Sequence, residues 1–141
     1  MLKRITYVSR YAKPFTEAEL DELAATAARN NRELDITGVL MTSGGIFFQT
    51  LEGPPEAVDS IYLAIVEDDR HTDVVLLGVE DNAEGRHYPN WSMKTINLDA
   101  ASHVRLLPLK VMMETVYQQQ QLVDKLLWTI DRTLRQEFRD G

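Results

Sequence analysis

Two β-like segments joined by a glycine-containing turn constrain the fold more than any other feature of this sequence. Residues Ile36 to Thr42 and Ile46 to Glu52 are rich in β-branched and aromatic side chains, and Ser43, Gly44 and Gly45 separate them. Glycines in so short a connection between two such runs are typical of a β-hairpin. We therefore predict an antiparallel pair of strands here, with the rest of a sheet built around it.

The segments before the hairpin predict a strand followed by a helix. Residues Leu2 to Val8 have the spacing of a strand in which Ile5 and Tyr7 share one face. Thr16 and Glu19 have the spacing of a capping box, which marks the start of a helix. Apolar residues then recur every three or four positions, so the first helix is predicted to have one buried face.

The segments after the hairpin predict a second helix and two more strands. Gly53-Pro54-Pro55 interrupts the second hairpin strand and starts a helix whose apolar face contains Val58, Ile61, Tyr62, Ile65 and Val66. Val74 to Val79 is a continuous apolar run that predicts a buried strand, and Trp91 to Ile96 predicts a short last strand. The order βαββαββ predicts an α+β, ferredoxin-like fold with a mixed five-stranded sheet and two helices on one face.

The remaining residues, from about Ala100, predict a C-terminal helical cap that contains Pro108. Gln118 to Gln121 fits either the solvated face of one helix or a bend between two. We divide the chain into a domain of residues 1–98 and an extension of residues 99–141, and we expect the exposed part of the extension's apolar stripe to form a homo-oligomer. That stripe has spacings of three and four and consists of Val123, Leu127, Ile130, Leu134 and Phe138.

Composition excludes several classes of function. The net charge is −7 and the basic residues are scattered, so we expect no nucleic-acid partner. The sequence has no cysteine, which excludes disulfides and thiolate nucleophiles, and no spacing resembles a zinc motif, so no metal site is predicted. No apolar run approaches the roughly 20 residues of a membrane span, and no signal-peptide pattern is present, so we expect a cytoplasmic protein without membrane association.

Five residues on or next to the predicted strands and the first helix form a candidate functional set. Tyr7 lies in the first strand, Asn31 just after the first helix, Gln49 in the third strand, and Trp91 and Met93 in the last strand. Each residue also has a purely structural interpretation: Asn31 as a helix cap, Gln49 on a solvent-facing edge strand, and the last two as core residues. Trp91 and Met93 are two apart, so in a strand they would point the same way.

Taken together, these residues and the motifs around them resemble the BLUF domain family. The resemblance covers about residues 2–98 and rests on the ordered motifs Ile5-Thr6-Tyr7-Val8-Ser9, Asn30-Asn31, Asp35-Ile36-Thr37-Gly38, Phe48-Gln49-Thr50-Leu51-Glu52-Gly53 and Asn90-Trp91-Ser92-Met93. It implies a non-enzymatic blue-light photoreceptor that holds a flavin non-covalently between its two core helices. FAD is the expected form, although FMN or riboflavin would also fit such a site.

The resemblance also implies a role for each site residue. Tyr7 would donate an electron and a proton in the light, and Gln49 would rotate or tautomerise in response. The segment from Trp91 to Met93 is implied as a relay out of the site, and Asn30, Arg70 and His71 as further contacts of the flavin. The chemistry of Asn31 agrees with an anchoring role, because a carboxamide offers a donor and an acceptor in one plane to the pyrimidine edge of a flavin.

Two other functions remain open from the residues themselves. A small acylphosphatase-like hydrolase would use Arg10 and Lys13 in the predicted loop Arg10 to Pro14, but this loop lacks the glycines of a phosphate cradle. A light-independent interaction module would use only the terminal apolar stripe. For the photoreceptor, we expect the signal to reach a downstream protein bound through the sheet and the helical cap, with the cap on the sheet face away from the flavin.

Overall fold

The predicted α+β, ferredoxin-like plan is confirmed by a computed structural model, which describes residues 1–13, 15–99 and 105–138. The strands are β1 (Lys3–Tyr11), β2 (Thr37–Ser43), β3 (Ile46–Gly53), β4 (His71–Glu80) and β5 (Lys94–Asn97). The helices are α1 (Glu17–Glu33), α2 (Pro55–Glu67) and α3 (Leu107–Glu137).

The hairpin predicted from Gly44 and Gly45 joins two inner strands of the sheet. The five strands lie in the order β4-β1-β3-β2-β5, in which only the β2 and β5 pair is parallel. Both glycines have positive φ angles, 54° and 85°, which a side chain would disfavour. Because β3 lies between β1 and β2, it is hydrogen-bonded on both edges. Gln49 at its centre lies directly opposite Tyr7 of β1.

The sheet buries a different apolar cluster on each face. Helices α1 and α2 cover one face, and the first half of α3 covers part of the other. On the α1/α2 face the buried residues of the cluster are Ile5, Ile36, Leu40, Phe47, Leu51, Val58 and Met93. On the α3 face they are Val8, Ile46, Leu98, Met113 and Tyr117. Strand alternation explains this division, because neighbouring residues such as Phe47 and Ile46 point to opposite faces.

Two predicted strands differ from the structure. The run Val74 to Val79 was expected to be buried, but β4 is an edge strand, and Leu76 and Val79 are 44% and 43% exposed. A continuous apolar run does not distinguish an inner strand from an edge strand. The last strand was expected from Trp91, but β5 begins at Lys94, so Trp91 and Met93 precede it. The prediction that they point the same way was wrong, because Met93 is buried against Gln49 whereas Trp91 is 39% exposed and stacks on Tyr88.

The C-terminal extension contains one continuous helix over the described residues. α3 continues through Gln118 to Gln121 without interruption, and Pro108 lies in its first turn, where its missing N–H costs no helical hydrogen bond. The predicted helical start near Ala100 lies outside the described residues, as does Pro14 of the predicted loop. β1 continues to Tyr11, so Arg10 belongs to the strand and not to the loop predicted after it.

A buried carboxylate, Glu52, connects the sheet to the segment that leads to β5. Glu52 is fully buried and lies 3.0 Å from the Nε of Arg4, and it accepts backbone hydrogen bonds from His87 at 2.9 Å and Tyr88 at 2.6 Å. Burial alone would raise the pKa of Glu52, but these donors outweigh it and the pKa is lowered. The backbone N–H groups of the segment before β5 therefore help to keep the carboxylate ionised. The carboxylate in turn holds that segment in place.

We predict that Glu52→Gln destabilises the fold by about 3 kcal/mol, because it leaves the buried guanidinium of Arg4 without its buried counter-charge. Glu80→Gln is the matched control, since Glu80 contacts the same arginine at 2.6 Å but is 58% exposed. Its loss should cost no more than about 1 kcal/mol. Urea unfolding followed by circular dichroism measures both. Equal losses for the two variants would contradict the importance assigned to Glu52.

Candidate functional site

A groove lies between α1 and α2, and the sheet forms its floor. Its volume is about 740 Å³, within the range of small-molecule and cofactor sites. The helices contribute apolar walls, and β1 and β3 contribute the polar residues Tyr7 and Gln49. The walls are formed mainly by Leu23, Ala27, Ile61, Ala64 and Ile65. Small residues on the inner faces of both helices leave room for a flat ring between them.

Gln49 is the central polar residue of the groove floor. Its side chain is 6% exposed, its Oε1 accepts a hydrogen bond from the hydroxyl of Tyr7, and its Nε2 donates to the sulfur of Met93 at 3.3 Å. The alternative of a solvent-facing edge residue is therefore wrong, because β3 is an inner strand. A buried amide needs partners for both its ends, and here a phenol and a thioether supply them.

Tyr7 is 1% exposed and lies among aromatic rings. The ring centroid of Tyr62 is 5.9 Å away and that of His71 is 6.3 Å away. Burial is the main cause of a strongly raised Tyr7 pKa, so the phenol keeps its proton at neutral pH. The hydroxyl can therefore act as a donor to Gln49 over the whole physiological pH range.

Asn31 lies in the last turn of α1 rather than after the helix, as the sequence had suggested. The helix ends at Glu33 with Leu34 as its C-cap, so Asn31 is not a left-handed cap, and its side chain is free for another role. Its Nδ2 donates to the backbone carbonyl of Ser92 at 2.9 Å, and its Oδ1 has no partner among the described residues. An amide with one end fixed and the other unpaired at the edge of a groove is suited to hold a polar ligand.

The mouth of the groove carries charged and ionisable groups. Arg70 donates to Asp68, and these hydrogen bonds are the main reason that the pKa of Asp68 falls to about 2. His71 is half-buried beside Ser9, whose Oγ lies 2.8 Å from Nδ1, and burial lowers the pKa of His71. At the mouth of the groove, Arg70 is therefore part of an ion pair with Asp68, and the imidazole of His71 is a neutral ring.

The predicted site residues are not all brought together. Tyr7, Asn30, Asn31, Gln49, Arg70 and His71 line the groove. Met93 is buried in the apolar cluster on the same face of the sheet, 7% exposed, and contacts Gln49. Trp91 is elsewhere: it is 39% exposed and stacks on Tyr88, with ring centroids 5.5 Å apart. In this conformation the groove is therefore linked to Met93 and not to Trp91.

Sequence reasoning missed two contributions to the site. The carbonyl of Ser92 orients Asn31, and a backbone group leaves no signal in a side-chain pattern. Tyr62 was recognised only as part of the apolar face of α2, although its ring lies beside Tyr7. The signal that could have predicted this contact is that Tyr62 lies on a helix that covers the same sheet face as Tyr7.

The groove fits an isoalloxazine ring system on its own geometry. Apolar side chains from α1 and α2 form its walls, and the carboxamides of Asn31 and Gln49 are among its polar lining. A flavin requires the same combination, since its faces are apolar and its pyrimidine edge alternates acceptors with a donor. Among the described residues no cluster of three metal-ligating side chains is found. None of the described helices is long and apolar enough to cross a membrane.

Comparison with known proteins identifies the family. The family model described as "Sensors of blue-light using FAD", BLUF, matches residues 2–94. The chain belongs to the BLUF family. BLUF domains are flavin-binding blue-light sensor modules, so the predicted resemblance is confirmed, and sensing rather than catalysis is the family's activity.

Relatives of this BLUF chain are mostly larger proteins. It is 39% identical over 92 residues to the photoactivated adenylate cyclase subunit beta of Euglena longa, covering 65% of this chain and 11% of that protein. It is 37% identical over 98 residues to the blue light- and temperature-regulated antirepressor BluF of Escherichia coli, covering 70% and 24%. The chain therefore spans less than a quarter of the length of these relatives.

Solved structures of other proteins have the same fold. A bacterial light-regulated adenylyl cyclase superposes with a TM-score of 0.82 at 38% identity, covering 89% of this chain and 36% of the cyclase. The BLUF protein BlrB in its dark state superposes with a TM-score of 0.65 at 28% identity, covering 84% of this chain and 96% of BlrB. The likeness to the cyclase extends beyond residues 2–94, so it includes part of the C-terminal extension.

We predict that Asn31→Ala weakens FAD binding about tenfold or more, the equivalent of losing one good hydrogen bond of about 1.4 kcal/mol. Asn30→Ala is the matched control, because Asn30 also lines the groove but is exposed. Fluorescence titration of the apoprotein with FAD gives both dissociation constants. An equal loss of affinity in the two variants would show that Asn31 is not the main anchor.

Proposed function

We propose that this chain is a blue-light photoreceptor that holds FAD non-covalently in the groove and stores the light signal in the hydrogen bonds of Gln49. The observation that carries this proposal is the continuous contact from the Tyr7 hydroxyl through the Gln49 amide to the Met93 sulfur, at the floor of the groove. In this proposal residues 1–98 are the sensor and residues 99–141 carry the signal outward. FMN or riboflavin would contact the same carboxamides, and FAD would in addition reach Arg70 and His71 at the mouth.

Tyr7 is suited to donate an electron and a proton together. A bound flavin, when excited by blue light, supplies a one-electron oxidant. Loss of an electron makes a phenol strongly acidic, and the buried surroundings of Tyr7 disfavour a separated charge. The proton would therefore move along the existing hydrogen bond to the Oε1 of Gln49, and Gln49 would release a proton from its Nε2 toward the bound flavin, so that the amide keeps no net charge. When the electron returns to Tyr7, a proton returns with it, so the net change is one of hydrogen-bond geometry alone.

Gln49 can retain that change because its two partners are chemically different. Tyr7 can both donate and accept, whereas the thioether of Met93 accepts weakly and has no donor. After rotation or tautomerisation, the end of the amide that faces Met93 is no longer the present NH₂ donor. The contact of Nε2 with the sulfur is then lost, and Met93 is less firmly held. The amide acts as a switch between a state with this contact and a state without it.

Met93 connects the switch to the extension because it directly precedes β5. β5 pairs with β2 and leads to Asp99, whose carboxylate accepts from the backbone of Gly44 at 2.9 Å and from Lys110 of α3 at 2.7 Å. A change at Met93 can therefore alter how α3 is held on the sheet. A downstream protein that prefers one arrangement of β5 and α3 would convert this shift into a response.

The relatives differ in the activities that their names describe. The names of two of them describe a cyclase subunit and an antirepressor. The sensor module is thus used with more than one kind of effector. We propose that this chain likewise acts on a partner protein through the sheet edge and α3, in the cytoplasm, and that it neither binds nucleic acid nor associates with membranes.

Tyr7→Phe should leave FAD bound and abolish the light-induced red shift of flavin absorption, because the phenylalanine has no proton to pass to Gln49. Tyr62→Phe is the control, since it removes a hydroxyl from a ring only 5.9 Å away that forms no hydrogen bond to Gln49. Absorption spectra before and after blue light measure both. A Tyr7→Phe protein with a normal red shift would exclude the mechanism. Purified wild-type protein that does not bind added FAD would exclude the proposed photoreceptor function.

A further inference from the structure

The outer edge of β4 is a strand edge with an exposed apolar surface. β4 is the first strand in the order β4-β1-β3-β2-β5, and within the described chain residues 72–80 form no backbone hydrogen bond except with β1. Leu76, Leu77 and Val79 of this strand are 44%, 37% and 43% exposed. The strand therefore offers another strand a row of backbone donors and acceptors together with apolar side chains.

β4 has few of the features that normally keep a strand edge free of partners. Soluble proteins protect such edges with lysine or proline, with a very short strand, or with a covering loop. β4 is ten residues long and contains no lysine, arginine or proline, and the stretch from Val74 to Val79 carries no charge. Register shifts interrupt its pairing with β1 at two places, but they leave the other edge uncovered. The edge is thus suited to binding a strand.

Helix α2 extends the apolar surface on one side of β4. Its Asp59 pairs with Lys3 of β1 at 2.7 Å, and the same lysine lies 3.4 Å from Asp81, which directly follows β4. Leu63 and Val66 come one and two turns after Asp59, so they lie on the same side of the helix. These two residues are 60% and 47% exposed. The apolar area therefore continues from β4 onto the adjoining side of α2.

A cleft of about 270 Å³ lies between the start of β4 and α3, and it contains acidic but no basic side chains. Its lining consists of Asp73, Val75, Tyr117, Gln120, Gln121 and Asp124. Neither aspartate forms an ion pair with any residue that the structure describes. A lysine or arginine side chain that entered this cleft would meet two opposite charges and displace no cation of the chain.

We infer that the β4 edge binds an extended segment of a partner protein, which pairs with β4 as a strand and places a lysine or arginine in the cleft. Charge favours this partner over a second copy of the chain. In an antiparallel pair of β4 strands, Asp73 of each copy would lie near Glu80 of the other, and both clefts would still lack a cation. The net charge of −7 instead attracts a basic segment.

The same surface joins two elements on which the proposed output depends. Because the cleft lies between β4 and α3, a change in how α3 is held on the sheet alters the affinity for the segment. This light dependence rests on the proposed function, whereas binding of the segment does not.

A selection with random peptides tests the inference without assuming the sequence of the segment. Peptides of about twelve residues, long enough to pair along a typical strand, are displayed on phage and selected on the full chain with FAD. We expect the enriched peptides to alternate apolar residues and to contain lysine or arginine. Fluorescence anisotropy of the most enriched peptide, synthesised with a label, then gives its dissociation constant.

Two variants should each weaken binding of that peptide about tenfold or more. Asp73→Asn/Asp124→Asn removes the negative charges of the cleft, and Leu77→Lys places a positive charge on the edge. The matched control is Asp21→Asn/Asp131→Asn, which makes the same change of charge at exposed positions outside the cleft. It should leave the dissociation constant within about twofold of the wild type. Circular dichroism checks that each variant is folded.

Four results would overturn the inference: no enriched peptide, enrichment of acidic peptides, equal effects of the two aspartate double variants, or unchanged binding by Leu77→Lys. Light scattering tests the competing occupant, because a dimer that Leu77→Lys converts to a monomer would assign the edge to a second copy. Anisotropy needs no flavin, so a chain that binds the peptide but not FAD would contradict only the proposed function. An affinity that blue light leaves unchanged in the FAD-bound chain would overturn the light dependence alone.

Discussion

The pairing of β1 with β3 is the interaction on which both the fold and the site depend. Its register places Tyr7 opposite Gln49 on the face covered by α1 and α2. The same register places Arg4 opposite Glu52 on the other face, where their ion pair holds the segment that leads to β5. A slip of one residue would exchange the two faces, so that the polar site would leave the groove and the ion pair would enter it.

The close packing of these strands leaves little freedom at the site. A side chain at Gly38 of β2 would overlap the backbone carbonyl of Thr50 in β3, so the backbones of the two strands are closely packed beside Gln49. In the proposed switch, Gln49 would therefore change its hydrogen bonds by rotating or by moving a proton, and not by moving its backbone. A rigid frame around one adjustable amide is what a switch of this kind requires.

The sequence predicted those features that have a local cause. The hairpin followed from the two glycines, the start of α1 from the capping box of Thr16 and Glu19, and the proximity of Tyr7 and Gln49 from motifs typical of the family. The errors arose where tertiary context decides. An apolar run could not show that β4 lies at the sheet edge, and the length of β5 could not be read from Trp91 to Ile96. The ion pair of Arg70 with Asp68 and the carbonyl that orients Asn31 also depend on the folded chain.

The central claim is that light changes the hydrogen bonds of Gln49 while the flavin keeps its oxidation state. Infrared difference spectroscopy on the FAD-bound chain, with isotopically labelled glutamine, measures this most directly. The account predicts that illumination shifts a labelled side-chain carbonyl band, that the shift is absent in Gln49→Glu, and that flavin absorption moves to the red without bleaching. An unshifted glutamine band, or a bleached flavin without a red shift, would contradict it.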